Sequence, residues 1–121
     1  MRRMVLLAMV LAATSLGCSV DPLAPFQAPP EVSIAVQSAI ARPYHATIIW
    51  SVENGSTAPY LIERRNGTEP WKRLTHLSIT DGRLVLEDIS VQPGQRYSYR
   101  VRIETAATSI AVGEVTVDVP R

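Results

Sequence analysis

Few side chains in this sequence are of the types that perform catalysis or bind metal ions. Its two histidines, His45 and His76, are far apart, and neither has a second ligand at the spacing typical of a metal site. Two carboxylates, Asp81 and Asp88, are separated by an apolar alternation, and no pattern places both in one cleft, as general acid–base catalysis requires. Neither a nucleophile elbow nor a glycine-rich phosphate loop is present. We therefore predict a protein that is not an enzyme, with no catalytic, metal or cofactor site.

Cys18 is the only cysteine, and it lies directly after a short apolar leader. The remainder of the chain therefore contains no thiol, which excludes a disulfide framework and a zinc site built on cysteine. The position of this cysteine links it to the leader that precedes it.

Residues 1–17 have the three-part organisation of a secretory signal peptide. Arg2 and Arg3 provide positive charge, the stretch from Met4 to Leu16 is uncharged and apolar, and Gly17 is the small residue expected at a cleavage site. The apolar stretch is shorter than the ~20 residues that a membrane-spanning helix needs. We therefore expect the leader to be removed.

The segment Ser15-Leu16-Gly17-Cys18 resembles the lipobox of bacterial lipoproteins. The resemblance implies that the Cys18 thiol is acylated, with palmitate among the attached chains, and becomes the first residue of a membrane-bound protein. Two or more acyl chains make a stable anchor. Ser19 in place of an aspartate favours the outer membrane by resemblance to enteric sorting rules, without indicating which face. The alternative is an ordinary cleaved leader followed by an incidental cysteine.

Residues 18–30 are rich in proline, with Pro22, Pro25, Pro29 and Pro30 among them. Proline fixes φ and donates no backbone hydrogen bond, so this composition is typical of an extended tether. We expect it to link acylated Cys18 to a folded domain that comprises residues 31–121.

Beyond the tether the apolar residues recur with a period of two, which is typical of half-buried antiparallel strands. Turn signals built on glycine separate these segments: Asn54-Gly55, Asn66-Gly67, Asp81-Gly82 and Pro93-Gly94. We interpret the first two as hairpin turns. A change of phase near Gly113 predicts a β-bulge. The fold class is therefore all-β, a single antiparallel sandwich of about seven strands. The alternating segments are 32–36, 46–52, 60–64, 71–74, 84–86, 97–103 and 115–119.

The stretch from Pro30 to Val119 is similar to a fibronectin type III domain, an immunoglobulin-like sandwich. Trp50 lies where that family has the tryptophan of its second strand, and 60–64 and 71–74 resemble its third and fourth strands. The resemblance implies that Trp50 is at the centre of the core.

The segment from Leu86 to Val101 resembles the corner between the fifth and sixth strands of that family. The resemblance implies that Val91 fills the core, that Pro93 and Gly94 turn the chain, and that the Tyr97 hydroxyl bonds to backbone a few residues upstream. Asp88 is expected to accept backbone hydrogen bonds at the same corner.

A modest basic cluster surrounds the expected hairpin after the third strand, where Arg64 and Arg65 face Lys72 and Arg73. It is either a patch for an anionic ligand or an ordinary solvated face. Two aromatic residues, Tyr44 and Trp71, are candidates for ligand contact by sugar or protein, or for packing over a sheet edge.

Net charge argues against nucleic acid as a partner. Two of the twelve basic residues lie in the leader, which leaves ten against eleven acidic residues, without the clustered basic surface that nucleic acid requires. Two classes of function remain open. One is a membrane-tethered module that binds an envelope protein or polysaccharide, and the other is a structural or accessory subunit of an envelope assembly.

Overall fold

The computed structural model describes residues 31–121, and every described strand belongs to one of two antiparallel sheets. The three-stranded sheet has the order β1-β2-β5, and the four-stranded sheet has the order β4-β3-β6-β7. This confirms the predicted all-β sandwich of seven strands. Leader, Cys18 and tether lie outside the described residues. The strands are β1 Ser33–Arg42, β2 His45–Glu53, β3 Tyr60–Asn66, β4 Lys72–Leu77, β5 Arg83–Asp88, β6 Arg96–Glu104 and β7 Ser109–Asp118.

The core lies between the sheets and follows from the alternation of each central strand. In β2 every second residue is buried, and Trp50 is completely enclosed. From the opposite sheet Ile62, Tyr99 and Val101 contribute fully buried side chains. A buried aliphatic or aromatic side chain contributes about 1.5–3 kcal/mol, so these positions dominate the stability of the sandwich. Within residues 31–121 no helix is long and apolar enough to cross a membrane.

Strand β1 is longer and less regular than its sequence indicates. The register with β2 shifts between Val36 and Ser38, which places a bulge at Gln37 and changes the phase of the strand. Beyond the bulge Ala39 and Ala41 pack against the core, and Val36 before it is 38% exposed. Val36 keeps the phase of Ile34, since both pair with inward-facing residues of β2, but its side chain is only partly covered.

The predicted bulge near Gly113 is confirmed in β7. The pairing of β6 with β7 shifts between Tyr99 and Val101, and Gly113 has a φ of 66°. Its carbonyl oxygen accepts a hydrogen bond of 2.7 Å from the indole Nε1 of Trp50. The bulge therefore satisfies the one polar atom of the largest core side chain.

Of the two glycine turn signals interpreted as hairpin turns, one lies in a hairpin and the other connects the two sheets. Asn66 ends β3, and Gly67 begins the five-residue connection of the β3–β4 hairpin, as predicted. Asn54-Gly55 joins β2 to β3, which belong to different sheets, so its interpretation as a hairpin turn is wrong. Turn residues indicate where a strand ends. Whether the following strand pairs with it or joins the other sheet depends on how the whole core packs.

The corner between β5 and β6 has the contacts expected of a tyrosine corner. Val91 is completely buried, and the Tyr97 hydroxyl accepts a hydrogen bond of 3.0 Å from the backbone N–H of Gln92. Gly94, which follows Pro93 at the turn, has a φ of 78° and donates its N–H to the carbonyl of Val119.

Strand pairing defines two ends of the sandwich. One end, which we call the hairpin end, carries the β1–β2 turn, the β3–β4 hairpin and the β5–β6 corner. The opposite end carries the β2–β3, β4–β5 and β6–β7 connections. Glu31 also lies there, because Ser33 pairs with Glu53 at the far end of β2.

Candidate binding site

The β3–β4 hairpin is fixed against the neighbouring strand by its own backbone. Gly67 has a φ of 60°, which lets its N–H donate to the carbonyl of Arg96 at 2.9 Å. The N–H of Glu69 then donates to the carbonyl of Asn66 at 3.0 Å. The hairpin is therefore a fixed support for the side chains on either side of it.

A cavity of about 240 Å³ opens beside this hairpin. Lys72 and Arg73 at its rim are both exposed, and neither forms an ion pair with any of residues 31–121. The positive charge of these two side chains is therefore available to a ligand. The lining consists of four cationic side chains, one carboxylate and four others: Arg64, Arg65, Lys72, Arg73, Glu69, Asn66, Pro70, Leu74 and Tyr97.

Arg64 connects this cavity to the interior. Its Nη1 donates to Oδ2 of Asp88 and to Oγ of Ser90, both at 2.7 Å, and its guanidinium lies 5.2 Å from the centroid of the Tyr97 ring. Burial alone would lower the pKa of Arg64, but the bond to Asp88 outweighs it and raises the pKa. Its Nε and Nη2 have no hydrogen-bond partner within the described part of the chain. One side of this guanidinium thus holds the two sheets together, and the other side lines the cavity.

Asp88 is nearly buried and is fully engaged in hydrogen bonds. The N–H and the hydroxyl of Ser90 donate to Oδ1 at 3.0 and 2.7 Å, and the Tyr99 hydroxyl donates to Oδ2 at 2.7 Å. Burial would raise the pKa of Asp88, but the bonds from Ser90, Arg64 and Tyr99 outweigh it and lower the pKa. Burial, together with the Asp88 charge, raises the pKa of the Tyr99 hydroxyl. The expected backbone hydrogen bond to Asp88 is confirmed, with the N–H of Ser90 as its donor. The ion pair of Asp88 with Arg64 could not be predicted from the sequence.

Trp71 lies at the end of the hairpin, on the outer face of the four-stranded sheet. The guanidinium carbons of Arg65 and Arg100 lie 4.7 and 4.1 Å from its ring centroid, distances at which a cation is attracted to the ring. Trp71 is half-buried by these contacts. Arg65 Nε is buried without a hydrogen-bond partner among residues 31–121, and its stacking on the indole offsets part of that cost. The expected packing at the sheet edge therefore takes the form of an arginine–tryptophan stack.

The arginines of this outer face have acidic partners, and Nη2 of Arg65 lies 3.9 Å from Oε2 of Glu114. Glu63 accepts hydrogen bonds from Nε of Arg100 at 2.7 Å and from Nε of Arg102 at 3.2 Å. Burial would raise the pKa of Glu63, but these two bonds outweigh it and lower the pKa. Glu63 offsets only one of these two positive charges, but Arg100 and Arg102 each have an acidic partner, whereas Lys72 and Arg73 have none among residues 31–121.

Tyr44 does not belong to this site. It lies in the β1–β2 turn with a φ of 66° and with 60% of its surface exposed. It is at the hairpin end but does not line the cavity, and its expected packing over a sheet edge is wrong. The hairpin thus places Arg64 and Arg65 in the lining of the cavity, places Trp71 against Arg65, and leaves Tyr44 apart.

The histidines and carboxylates lie in separate surroundings. His45 is the first residue of β2, where it bonds Glu87, and His76 lies exposed within β4. Asp81, in a turn, and Asp88 are at opposite ends of β5. In residues 31–121 no group of three His, Cys, Asp or Glu side chains is arranged to hold a metal ion. The lipid attachment expected at Cys18 lies outside the described residues.

Comparisons with known proteins bear on the fold alone. No family model and no curated protein matches the chain. A solved structure, the crystal structure of beta-1,2-glucanase from Parabacteroides distasonis, is similar with a TM-score of 0.59 and 19% sequence identity. The similarity covers 78% of this chain and 14% of the glucanase chain. A small part of that enzyme therefore has the fold of this sandwich.

Proposed function

We propose that this chain is a non-catalytic binding module of the cell envelope, anchored to a membrane through lipid on Cys18. It recognises a protein or polysaccharide with its hairpin end. The observation that carries the proposal is the cavity beside the β3–β4 hairpin, where Lys72 and Arg73 have no acidic partner among the described residues.

The surroundings of the cavity support binding because they are rigid before a ligand arrives. The hairpin backbone is bonded to β6, Arg64 is held by Asp88, and Arg65 is stacked on Trp71. Side chains that are already ordered lose little conformational entropy on association, so more of the contact energy becomes affinity.

The proposed attachment is compatible with access to the cavity. The described domain begins at Glu31, at the end opposite the hairpin. A tether over residues 18–30 therefore joins the domain at the end farthest from the cavity. We propose the outer membrane as the site of the anchor, because Ser19 rather than an aspartate follows Cys18.

A second candidate, a structural or accessory subunit of an envelope assembly, is favoured by a different surface. Ile40 and Val85 are 48% and 41% exposed, and Ile49 lies beside Val85 on the outer face of the three-stranded sheet. Exposed apolar side chains that adjoin in this way are typical of contact with another protein. A partner that co-purifies at fixed stoichiometry, and is lost on Val85→Lys but retained on Lys72→Glu, would favour this candidate.

The anchor is tested by labelling cells with palmitate. The wild-type chain should incorporate label and sediment with membranes, whereas Cys18→Ala should do neither. A wild-type chain that remains unlabelled and soluble would refute the anchor and leave the binding module to be judged separately.

Binding at the hairpin is tested by charge reversal in the acylated protein. Affinity of solubilised protein for isolated envelope fractions should fall on Lys72→Glu with Arg73→Glu, and it should be unchanged on Arg83→Glu. Arg83 is a matched control because it is exposed, lies in a strand at the opposite end and forms no ion pair with residues 31–121. Equal retention of both variants would refute the proposed site.

A further inference from the structure

We infer that the hairpin cavity binds an acidic saccharide, a sugar unit that carries a carboxylate group and belongs to a polysaccharide. This inference rests on the proposed function and names the ligand class of the same site. It depends on the size of the cavity, the charge at its rim and the mixture of donors and acceptors in its lining.

The cavity is small and its lining is mostly polar. Its volume of about 240 Å³ is below the ~300–1,000 Å³ of pockets for drug-sized ligands, and is suited to a single ring or acidic group. The apolar part of its lining is limited to Pro70, Leu74 and the Tyr97 ring. Protein partners depend on aromatic or aliphatic anchors that fill apolar pockets, and this cavity offers little room for one.

Two kinds of cationic group meet at the cavity and have different roles. The charge of Arg64 is already compensated by Asp88, so its free Nε and Nη2 act as hydrogen-bond donors rather than as a source of net attraction. Lys72 and Arg73 are uncompensated and supply the attraction for an anion. The guanidinium of Arg73 also matches the two oxygens of a carboxylate.

Acceptors in the same lining favour a sugar over a simple anion. The Glu69 carboxylate and the Asn66 side-chain amide line the cavity together with the cations. A carboxylate repels inorganic phosphate but accepts hydrogen bonds from hydroxyl groups, which a saccharide carries beside its acidic group. Charge attraction by the cations, together with hydroxyl recognition by the acceptors, fits a uronic acid residue.

The inference is tested with the full acylated chain in detergent micelles and three defined probes. These are oligogalacturonate, a neutral maltooligosaccharide of equal length, and a poly-glutamate peptide, each titrated at 50 and 200 mM NaCl. Oligogalacturonate should bind saturably and more weakly at the higher salt, because the contributing charges are exposed. Lys72→Gln with Arg73→Gln should weaken it by about 2- to 30-fold, from the ~0.2–1 kcal/mol that each exposed charge contributes. Arg83→Gln should leave the affinity unchanged.

Glu69 provides a variant that is expected to affect the two anionic ligands to different degrees. Glu69→Gln removes a repulsive charge, so poly-glutamate should gain affinity, whereas oligogalacturonate should gain less because its hydroxyl groups lose an acceptor. The glutamine substitutions at Glu69, Lys72, Arg73 and Arg83 are all at exposed positions. An unchanged melting temperature verifies that each variant is folded.

Several outcomes overturn the inference. Equal affinity for the neutral oligosaccharide, tighter binding of poly-glutamate, or no saturable binding of oligogalacturonate would refute an acidic saccharide, while the envelope-retention experiment still decides the proposed function. Saturable binding of oligogalacturonate that is indifferent to the Lys72 and Arg73 substitutions would place the ligand elsewhere and refute the hairpin site itself.

Discussion

Substitution of Gly113 by alanine tests how the β7 bulge holds the core together. A Cβ atom at Gly113 would lie 2.8 Å from Cδ1 and 2.9 Å from Nε1 of Trp50, closer than carbon and nitrogen atoms can approach. The indole would have to move away from a site where it is completely buried and where it donates to the Gly113 carbonyl. The new side chain would also occupy a left-handed conformation, with φ near 66°.

Three contributions give the expected loss of stability. The left-handed conformation costs an alanine about 1–2 kcal/mol, forced repacking around the indole costs about 1–3 kcal/mol, and the weakened indole hydrogen bond costs about 1 kcal/mol. We therefore expect Gly113→Ala to lower the free energy of unfolding by about 3–6 kcal/mol. The measurement is urea unfolding followed by tryptophan fluorescence and by circular dichroism.

Gly67→Ala is the matched control. Gly67 has a similar φ of 60°, but a Cβ atom there meets nothing within 4 Å. It should lose only the conformational contribution of about 1–2 kcal/mol. If both variants lose the same free energy, the proposed clash with Trp50 and the role of the bulge are refuted.

Three further predictions concern the core and the polar groups behind the site. Trp50→Ala should lower the free energy of unfolding by about 3–5 kcal/mol. Tyr97→Phe should lower it by about 1 kcal/mol, because the Gln92 N–H loses its partner. Asp88→Asn should lower it by about 2–3 kcal/mol at pH 7, less than the ~3–5 kcal/mol for a fully buried pair, because 26% of the Arg64 side chain is exposed.

The pH dependence of that last effect follows from the lowered pKa of Asp88. A carboxyl group whose pKa is lower in the folded state stabilises the fold above its unfolded pKa of about 3.9, and this stabilisation is lost as the pH falls through the folded value. The difference between wild type and Asp88→Asn should therefore shrink below about pH 4. A difference that is constant from pH 7 to pH 2, measured by urea unfolding, would contradict the assigned ionisation.

Much of the fold can be predicted from the sequence because its signals are local. A period of two identifies strands, and the spacing from Val91 through Gly94 to Tyr97 identifies the corner. The change of phase around Gly113 identifies the bulge, since only an extra residue brings both halves of β7 to the same face. The bulge of β1 escapes prediction because small alanines on the inward side give a weak pattern.

The site is less predictable because it depends on contacts between sheets. Basic residues on either side of a hairpin are visible in the sequence, but which of them carry uncompensated charge is not. Arg64 is neutralised by Asp88 from the opposite sheet, and that pairing is decided by how the sheets pack. Trp71 meets Arg100 because a register shift in β4 sets its position at the end of the hairpin. Pairings of this kind have no local sequence signal.

The central claim, that the hairpin end is the binding surface, is tested most directly by cross-linking in intact cells. A photo-reactive amino acid is placed at Thr68 in the hairpin or at Thr108 in the β6–β7 connection, both exposed and at opposite ends of the sandwich. Irradiation should yield a discrete product from position 68, and this product should disappear when Lys72 and Arg73 are replaced by glutamate. A product from position 108 alone, or one from position 68 that is unaffected by the charge reversal, would contradict the account.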